Sequence, residues 1–230
     1  MPGFPLEEAR ELAALVARQK PRVHVLTNPV AQAVTANALA ALGAEPSMSA
    51  HPRDILPLAR GANAIALNLG MLEPQREAAI EALSDALEQL ACPIVLDPVM
   101  ADRVPYRGEV AARFFGYPRL IVKGNGDEMA ALALSLPAHV LAVTTGEQDR
   151  VGDRLAIAGG HPLLARFSGS GCLAGAVMAA FAAVEPDRAR AAGAALTFLR
   201  HAAEKSGAIA SGPGTFVPLL IDALAASVEV

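Results

Sequence analysis

Tryptophan is absent from this 230-residue chain, and aromatic residues of all kinds make up only 4% of it. No run of lysine or arginine occurs, and the formal net charge is -4. The chain therefore has neither the stacking platforms nor the basic surface that nucleic-acid binding needs. Its two cysteines, Cys92 and Cys172, are too few for a disulfide framework, so a reducing cytoplasm is expected. Cys92 precedes Pro93 at the head of an apolar run and fits a core position. No apolar stretch approaches the ~18 residues that span a bilayer. The N-terminus, Met1 to Lys20, is acidic and helix-like and lacks the basic start of a signal peptide. The histidines are scattered, none at zinc-ligand spacing from a cysteine. Nothing matches G-x-x-x-x-G-K-[ST], so a Walker A phosphate loop is excluded.

What is present alternates. Short apolar runs rich in β-branched residues are followed by longer helical stretches. The expected strands are Arg22–Thr27, Ala64–Leu69, Pro93–Asp97, Leu120–Lys123 and Val140–Thr144. The expected helices are Val30–Leu42, Pro74–Ala91, Arg107–Phe115, Asp127–Leu134, Leu173–Val184 and Asp187–Ala203. Strands that are apolar throughout fit a parallel sheet buried on both faces by helices. Asp153–Ala158, Gly159-Gly160 and Pro162–Ala165 read as a β-hairpin, which would make one sheet edge antiparallel. No linker or repeat divides the chain, so one domain over residues 1–230 is expected, with 53% hydrophobic residues to fill its core.

The polar residues cluster where these strands end: Thr27-Asn28, Asn68-Leu69-Gly70, Asp97-Pro98, Lys123-Gly124-Asn125 and Thr144-Thr145-Gly146. Open α/β sheets bind ligands outside the carboxyl ends of their strands. Any one of these residues could be a turn former or a helix cap; five sets at one edge favour a site. Asp97 and Glu128 could hold a divalent cation, directly or through water, and Mg²⁺ prefers such oxygen ligands. Lys123 suits phosphate oxygens, while Asn125 and Thr145 offer neutral hydrogen bonds. Gly169-Ser170-Gly171-Cys172 opens an apolar helix, and glycines at a helix N-terminus let an anion approach unpaired N–H groups. A cation, a metal and a helix N-terminus together suit phosphoryl transfer. A thiol at a helix N-terminus is expected to have a lowered pKa, so Cys172 could accept an alcohol proton.

These residues resemble those of the hydroxyethylthiazole kinases, a thiamine-salvage family of the ribokinase-like superfamily. The resemblance runs from Val23-His24-Val25-Leu26-Thr27-Asn28 through Pro46-Ser47-Met48 and Asn68-Leu69-Gly70 to Leu96-Asp97-Pro98-Val99. It continues in Gly124-Asn125-Gly126-Asp127-Glu128, an N-x-x-E motif, Val143-Thr144-Thr145-Gly146-Glu147, Gly169-Ser170-Gly171-Cys172 and Gly212-Pro213-Gly214-Thr215-Phe216. It implies ATP-dependent phosphorylation of the primary alcohol of 4-methyl-5-(2-hydroxyethyl)thiazole. It places Asn28, Met48, Gly70 and Gly169 on the thiazole side, and Lys123, Asn125 and Thr145 on the nucleotide side. Asp97 and Glu128 would organise Mg²⁺, and Cys172 with Gly169 and Gly171 would be catalytic. It also implies a homotrimer with sites at subunit interfaces. Three departures stand out: a short segment between Glu128 and Thr144, Lys123 where the family usually has arginine, and Ser168 and Ser170 in the glycine-rich turn. The alternatives are a hydroxymethylpyrimidine- or pyridoxal-type kinase, a nucleotide-dependent hydrate dehydratase of the same fold, and a non-catalytic thiazole-binding homologue.

Overall fold

The computed structural model describes residues 1–226. The helices are α1 (Leu6–Gln19), α2 (Gln32–Ala41), α3 (Ile55–Gly61), α4 (Pro74–Asp85), α5 (Pro105–Ala112), α6 (Gly126–Leu132), α7 (Ser170–Ala182), α8 (Arg188–Ile209) and α9 (Pro213–Ala226). The strands are β1 (Arg22–Leu26), β2 (Glu45–Ser47), β3 (Ala64–Asn68), β4 (Ile94–Asp97), β5 (Leu120–Asn125), β6 (Leu141–Thr145), β7 (Asp149–Val151) and β8 (Leu155–Ile157). They form one sheet in the order β2-β1-β3-β4-β5-β6-β7-β8. The ladder is parallel from β2 to β6 and antiparallel from β6 to β8.

Alternate residues of each central strand face opposite cores, as a period of two requires. Val23, Val25, Val95, Ile121 and Val143 pack under α1, α2, α7, α8 and α9. Leu26, Ile65, Leu67, Leu96 and Val122 pack under α3, α4, α5 and α6. The apolar strand runs seen in the sequence are therefore the centre of a three-layer α/β sandwich. Helix α7 is buried on nearly every side from Leu173 to Ala182, which is why it carries no polar face. It lies against β3 and β4 with α2 and α8 beside it.

Two expectations shift. The antiparallel edge exists, but its hairpin is β7–β8, turning at Gly152 (φ 51°) rather than at Gly159-Gly160. Pro162–Arg166 is a 3₁₀ helix, not a strand. Helix α7 begins at Ser170, three residues earlier than expected, so Cys172 lies inside its first turn. Strand β2 and helix α3 are too short for a periodic signal in the sequence.

Candidate active site

The parallel strands deliver their last residues to one edge, and two adjoining cavities open there. The smaller, about 290 Å³, is lined by Asn28, Asp97, Lys123, Asn125, Glu128, Thr145, Gly169, Gly171 and Cys172, with Asn68 and Val99. The larger, about 840 Å³, runs from Lys123, Asn125 and Thr145 past Gly171 to the apolar side chains of Leu164, Leu196 and Leu199. Lys123, Asn125, Thr145 and Gly171 belong to both. Met48 and Gly70 line neither. Met48 packs against the core. Gly70 is held behind the small cavity, where a Cβ would come within 3.0 Å of Asn68 Oδ1.

Gly169 caps α7 in a left-handed conformation (φ 96°), and a Cβ there would meet Ala31 at 3.1 Å. Only glycine combines that φ with that approach. It aims the free N–H groups of the first turn of α7 toward the junction of the cavities. Cys172 sits in that turn, with the Asn28 amide donating toward its Sγ at 3.5 Å. Burial pushes the Cys172 thiol above its ordinary pKa, and the Asp97 charge adds to the shift. The Thr27 hydroxyl, Lys123 and Asn28 offset only part of it. The shift runs opposite to the lowered pKa expected from the helix N-terminus, because burial disfavours the thiolate.

Lys123 does not reach freely into the cavity. Its Nζ donates to Asp97 Oδ2 at 2.8 Å and to the Gly171 carbonyl at 3.0 Å, and it is 3% exposed. Burial would lower its pKa, but the Asp97 charge and hydrogen bond outweigh that and raise it. The lysine is therefore a fixed positive charge that ties β4, β5 and the α7 turn together. A shorter, single-headed cation fits this role, where an arginine fork would need more room.

The N-x-x-E motif is a capping box: Asn125 Oδ1 accepts from Glu128 N at 3.0 Å, and Glu128 Oε2 accepts from Asn125 N at 2.8 Å. Glu128 Oε1 accepts from Met100 N at 2.7 Å, holding a residue with a positive φ of 62°. Both Asp97 oxygens accept too, Oδ2 from Lys123 Nζ and Oδ1 from Val99 N at 3.3 Å, so all four carboxylate oxygens of the pair already hold a protein donor. Among the described residues no cluster of three or more His, Cys, Asp or Glu is positioned to hold a metal.

Two supports escaped sequence reasoning. Buried His24 bonds Ser47 Oγ at 2.8 Å, tying β1 to the turn that carries Met48. Buried Arg76 donates to the carbonyls of Asn68, Gly70 and Met71 and shapes the turn after β3. An arginine inside an amphipathic helix looks like a surface residue until the fold buries it.

The model of the hydroxyethylthiazole kinase family matches residues 13–139 and 134–229. The two matches meet at the short segment after α6. A probable hydroxyethylthiazole kinase of Agrobacterium fabrum is 37% identical over 219 residues, covering 94% of this chain and 88% of the relative. A solved hydroxyethylthiazole kinase protein from Pyrococcus horikoshii superposes with a TM-score of 0.86 at 33% identity, covering 96% of this chain and 93% of that one. A ribokinase-like superfamily protein of Enterococcus faecalis shares the fold, with a TM-score of 0.66 at 14% identity over 96% of this chain and 95% of that one.

Proposed function

This chain belongs to the hydroxyethylthiazole kinase family, and we propose that it transfers the terminal phosphoryl group of ATP to the primary alcohol of hydroxyethylthiazole. One observation carries the reading. A small cavity holding Cys172 and Asn28 meets a nucleotide-sized cavity at Lys123, Asn125, Thr145 and Gly171. The alcohol occupies the small cavity and the nucleotide the large one, with its phosphates directed at the N-terminus of α7.

The alcohol oxygen attacks the γ-phosphorus while the bond to the bridging oxygen of ADP breaks. Such transition states are loose, so positioning and charge stabilisation matter more than a strong base. The N–H groups of the α7 turn and the fixed charge of Lys123 stabilise the transferring phosphoryl oxygens. Cys172 and Asn28 orient the hydroxyl, and its proton passes late, as the new bond forms, to an oxygen of the transferred phosphoryl group and from there to water. The thiol is protonated at neutral pH, so it adds no negative charge beside the phosphates. Asp97 and Glu128 would hold Mg²⁺ through water, where it would neutralise phosphate charge.

Residues 1–230 form a single domain in this reading, working in the cytoplasm. Val30 (57% exposed) and Met71 (48% exposed) stand in the segments that follow β1 and β3, and neighbouring copies covering them around a threefold axis would give a trimer with shared sites. Among the described residues no helix is long and apolar enough to cross a membrane. The function is tested by coupled ADP release with ATP and a panel of hydroxyethylthiazole, hydroxymethylpyrimidine and pyridoxal. Turnover is expected with the thiazole. Preference for either other alcohol, or thiazole binding without ADP release, would overturn it.

A further inference from the structure

Arg200 stands in the middle of α8, 8% exposed, at the wall of the large cavity. It forms a fork with Asp149: Nε to Oδ2 at 2.6 Å and one terminal nitrogen to Oδ1 at 2.7 Å. The same terminal nitrogen donates to the Gly146 carbonyl at 2.7 Å. The other donates to the Glu147 carbonyl at 3.2 Å and to the Gly159 carbonyl. All five N–H donors of a guanidinium are thereby committed. Asp149 Oδ1 also accepts from Gly146 N at 3.0 Å, so both ends of that glycine's backbone are held. One turn further along α8, Glu204 Oε1 accepts from Gly160 N at 2.8 Å.

These bonds explain the paired glycines. Gly159 (φ 91°) and Gly160 (φ 88°) turn a carbonyl and an N–H toward α8. A Cβ on Gly159 would fall 2.4 Å from Glu204 Oε1, and one on Gly160 3.2 Å from an Arg200 nitrogen. Gly146, Glu147, Gly159 and Gly160 all line the large cavity. The two loops flank the same end of the β7–β8 pair, where Asp149 pairs with Ile157, and α8 ties both of them from one side.

We propose that Arg200 and Glu204 are positioning residues for the nucleotide, with α8 acting as the strut that sets the separation of the Thr145–Glu147 and Gly159–Gly160 walls. The proposal rests on the kinase reading, in which the large cavity takes ATP. Neither residue needs to touch the nucleotide: the ligand meets the backbone that they fix. A binding cleft made of two loops gains affinity when its shape is held before the ligand arrives.

The test is steady-state kinetics of Arg200→Lys and Glu204→Ala beside the unaltered protein, with thermal shifts induced by ATP and, separately, by the thiazole. Lysine has three donors and can replace at most three of the five bonds. Two unreplaced bonds correspond to roughly tenfold to thirtyfold in affinity. Arg200→Lys is expected to raise the KM for ATP by that factor, with far smaller changes in kcat and in the KM for the thiazole. Glu204→Ala alters a side chain that is 48% exposed, so the fold survives it, and it raises the KM for ATP by roughly threefold to tenfold. In both variants the ATP-induced thermal shift shrinks while the thiazole-induced shift persists. Unchanged ATP parameters in Glu204→Ala, or an Arg200→Lys that loses kcat and stability without a change in KM for ATP, would overturn the proposal. Absence of ADP release by the unaltered protein would instead sink the kinase reading, leaving the ATP-induced shift to decide the role of α8.

Discussion

Cys172 is the residue whose role changes most between sequence and structure. A helix N-terminus favours a thiolate, but burial and the Asp97 charge favour the thiol, against partial opposition from Thr27, Lys123 and Asn28. Two consequences are measurable. Alkylation of Cys172 by iodoacetamide is expected to be slower at pH 7 than that of a free thiol, to rise with pH through a midpoint above the ordinary value, and to slow further with ATP bound. Cys172→Ala is expected to lower kcat by about 10- to 100-fold, below the ~10⁴ that a full general base contributes at its upper limit. A larger loss with KM unchanged would restore the base. His24 makes a separate prediction. It is fully buried, and burial lowers its pKa from 6.5 to about 4, against a weaker opposing hydrogen bond that the ring donates to the Ser49 backbone. The unfolded chain binds this proton more readily, so stability is intact above pH 6.5 and falls as pH drops from 6.5 toward 4. The loss reaches about 3 kcal/mol at 1.36 kcal/mol per unit. Urea midpoints measured across this window should show a shallower acid decline in His24→Asn than in the unaltered protein.

At the scale of elements, α8 is shaped by contacts rather than by propensity. A Cβ on Gly207 would fall 2.2 Å from the His161 ring, which lines the large cavity and stacks on Phe216. Helix propensity alone would favour Gly207→Ala by about 1 kcal/mol. Displacing the ring costs about 1–3 kcal/mol, as overpacking does, so a net fall in Tm is expected, together with weaker ATP binding. A rise in Tm would show that His161 moves freely. Strands β1, β3, β4 and β5 are legible because sheets buried on both faces write continuous apolar runs. Their polar ends were legible because each stops at the same edge. The Asp97–Lys123 and Asp149–Arg200 pairs were not, since the partners lie 26 and 51 residues apart and no local pattern links them. The Gly159-Gly160 pair was misread as a hairpin turn because its positive φ serves α8 rather than a strand pair. The N-x-x-E motif, which in sequence points to a ligand, is in the structure the capping box that starts α6.

For the molecule as a whole, the short segment after α6 marks this chain. Helix α6 ends at Leu132, Leu134 stands fully in solvent, and β6 is only half covered along most of its length. Leu134→Ser is therefore expected to change the unfolding free energy by no more than a neutral surface substitution does, about ±0.5 kcal/mol by urea titration. A larger fall would mean that another copy of the chain packs there. Light scattering addresses assembly directly: the proposed trimer predicts three times the 23.6 kDa chain mass. The central claim is transfer of an intact phosphoryl group across the junction of the two cavities. The most direct measurement supplies ATP labelled with ¹⁸O at its γ-phosphoryl oxygens together with unlabelled hydroxyethylthiazole, and follows the products by mass spectrometry. The account predicts ADP and a thiazole phosphate carrying the labelled phosphoryl group on its original alcohol oxygen. Labelled inorganic phosphate beside unchanged thiazole would contradict it.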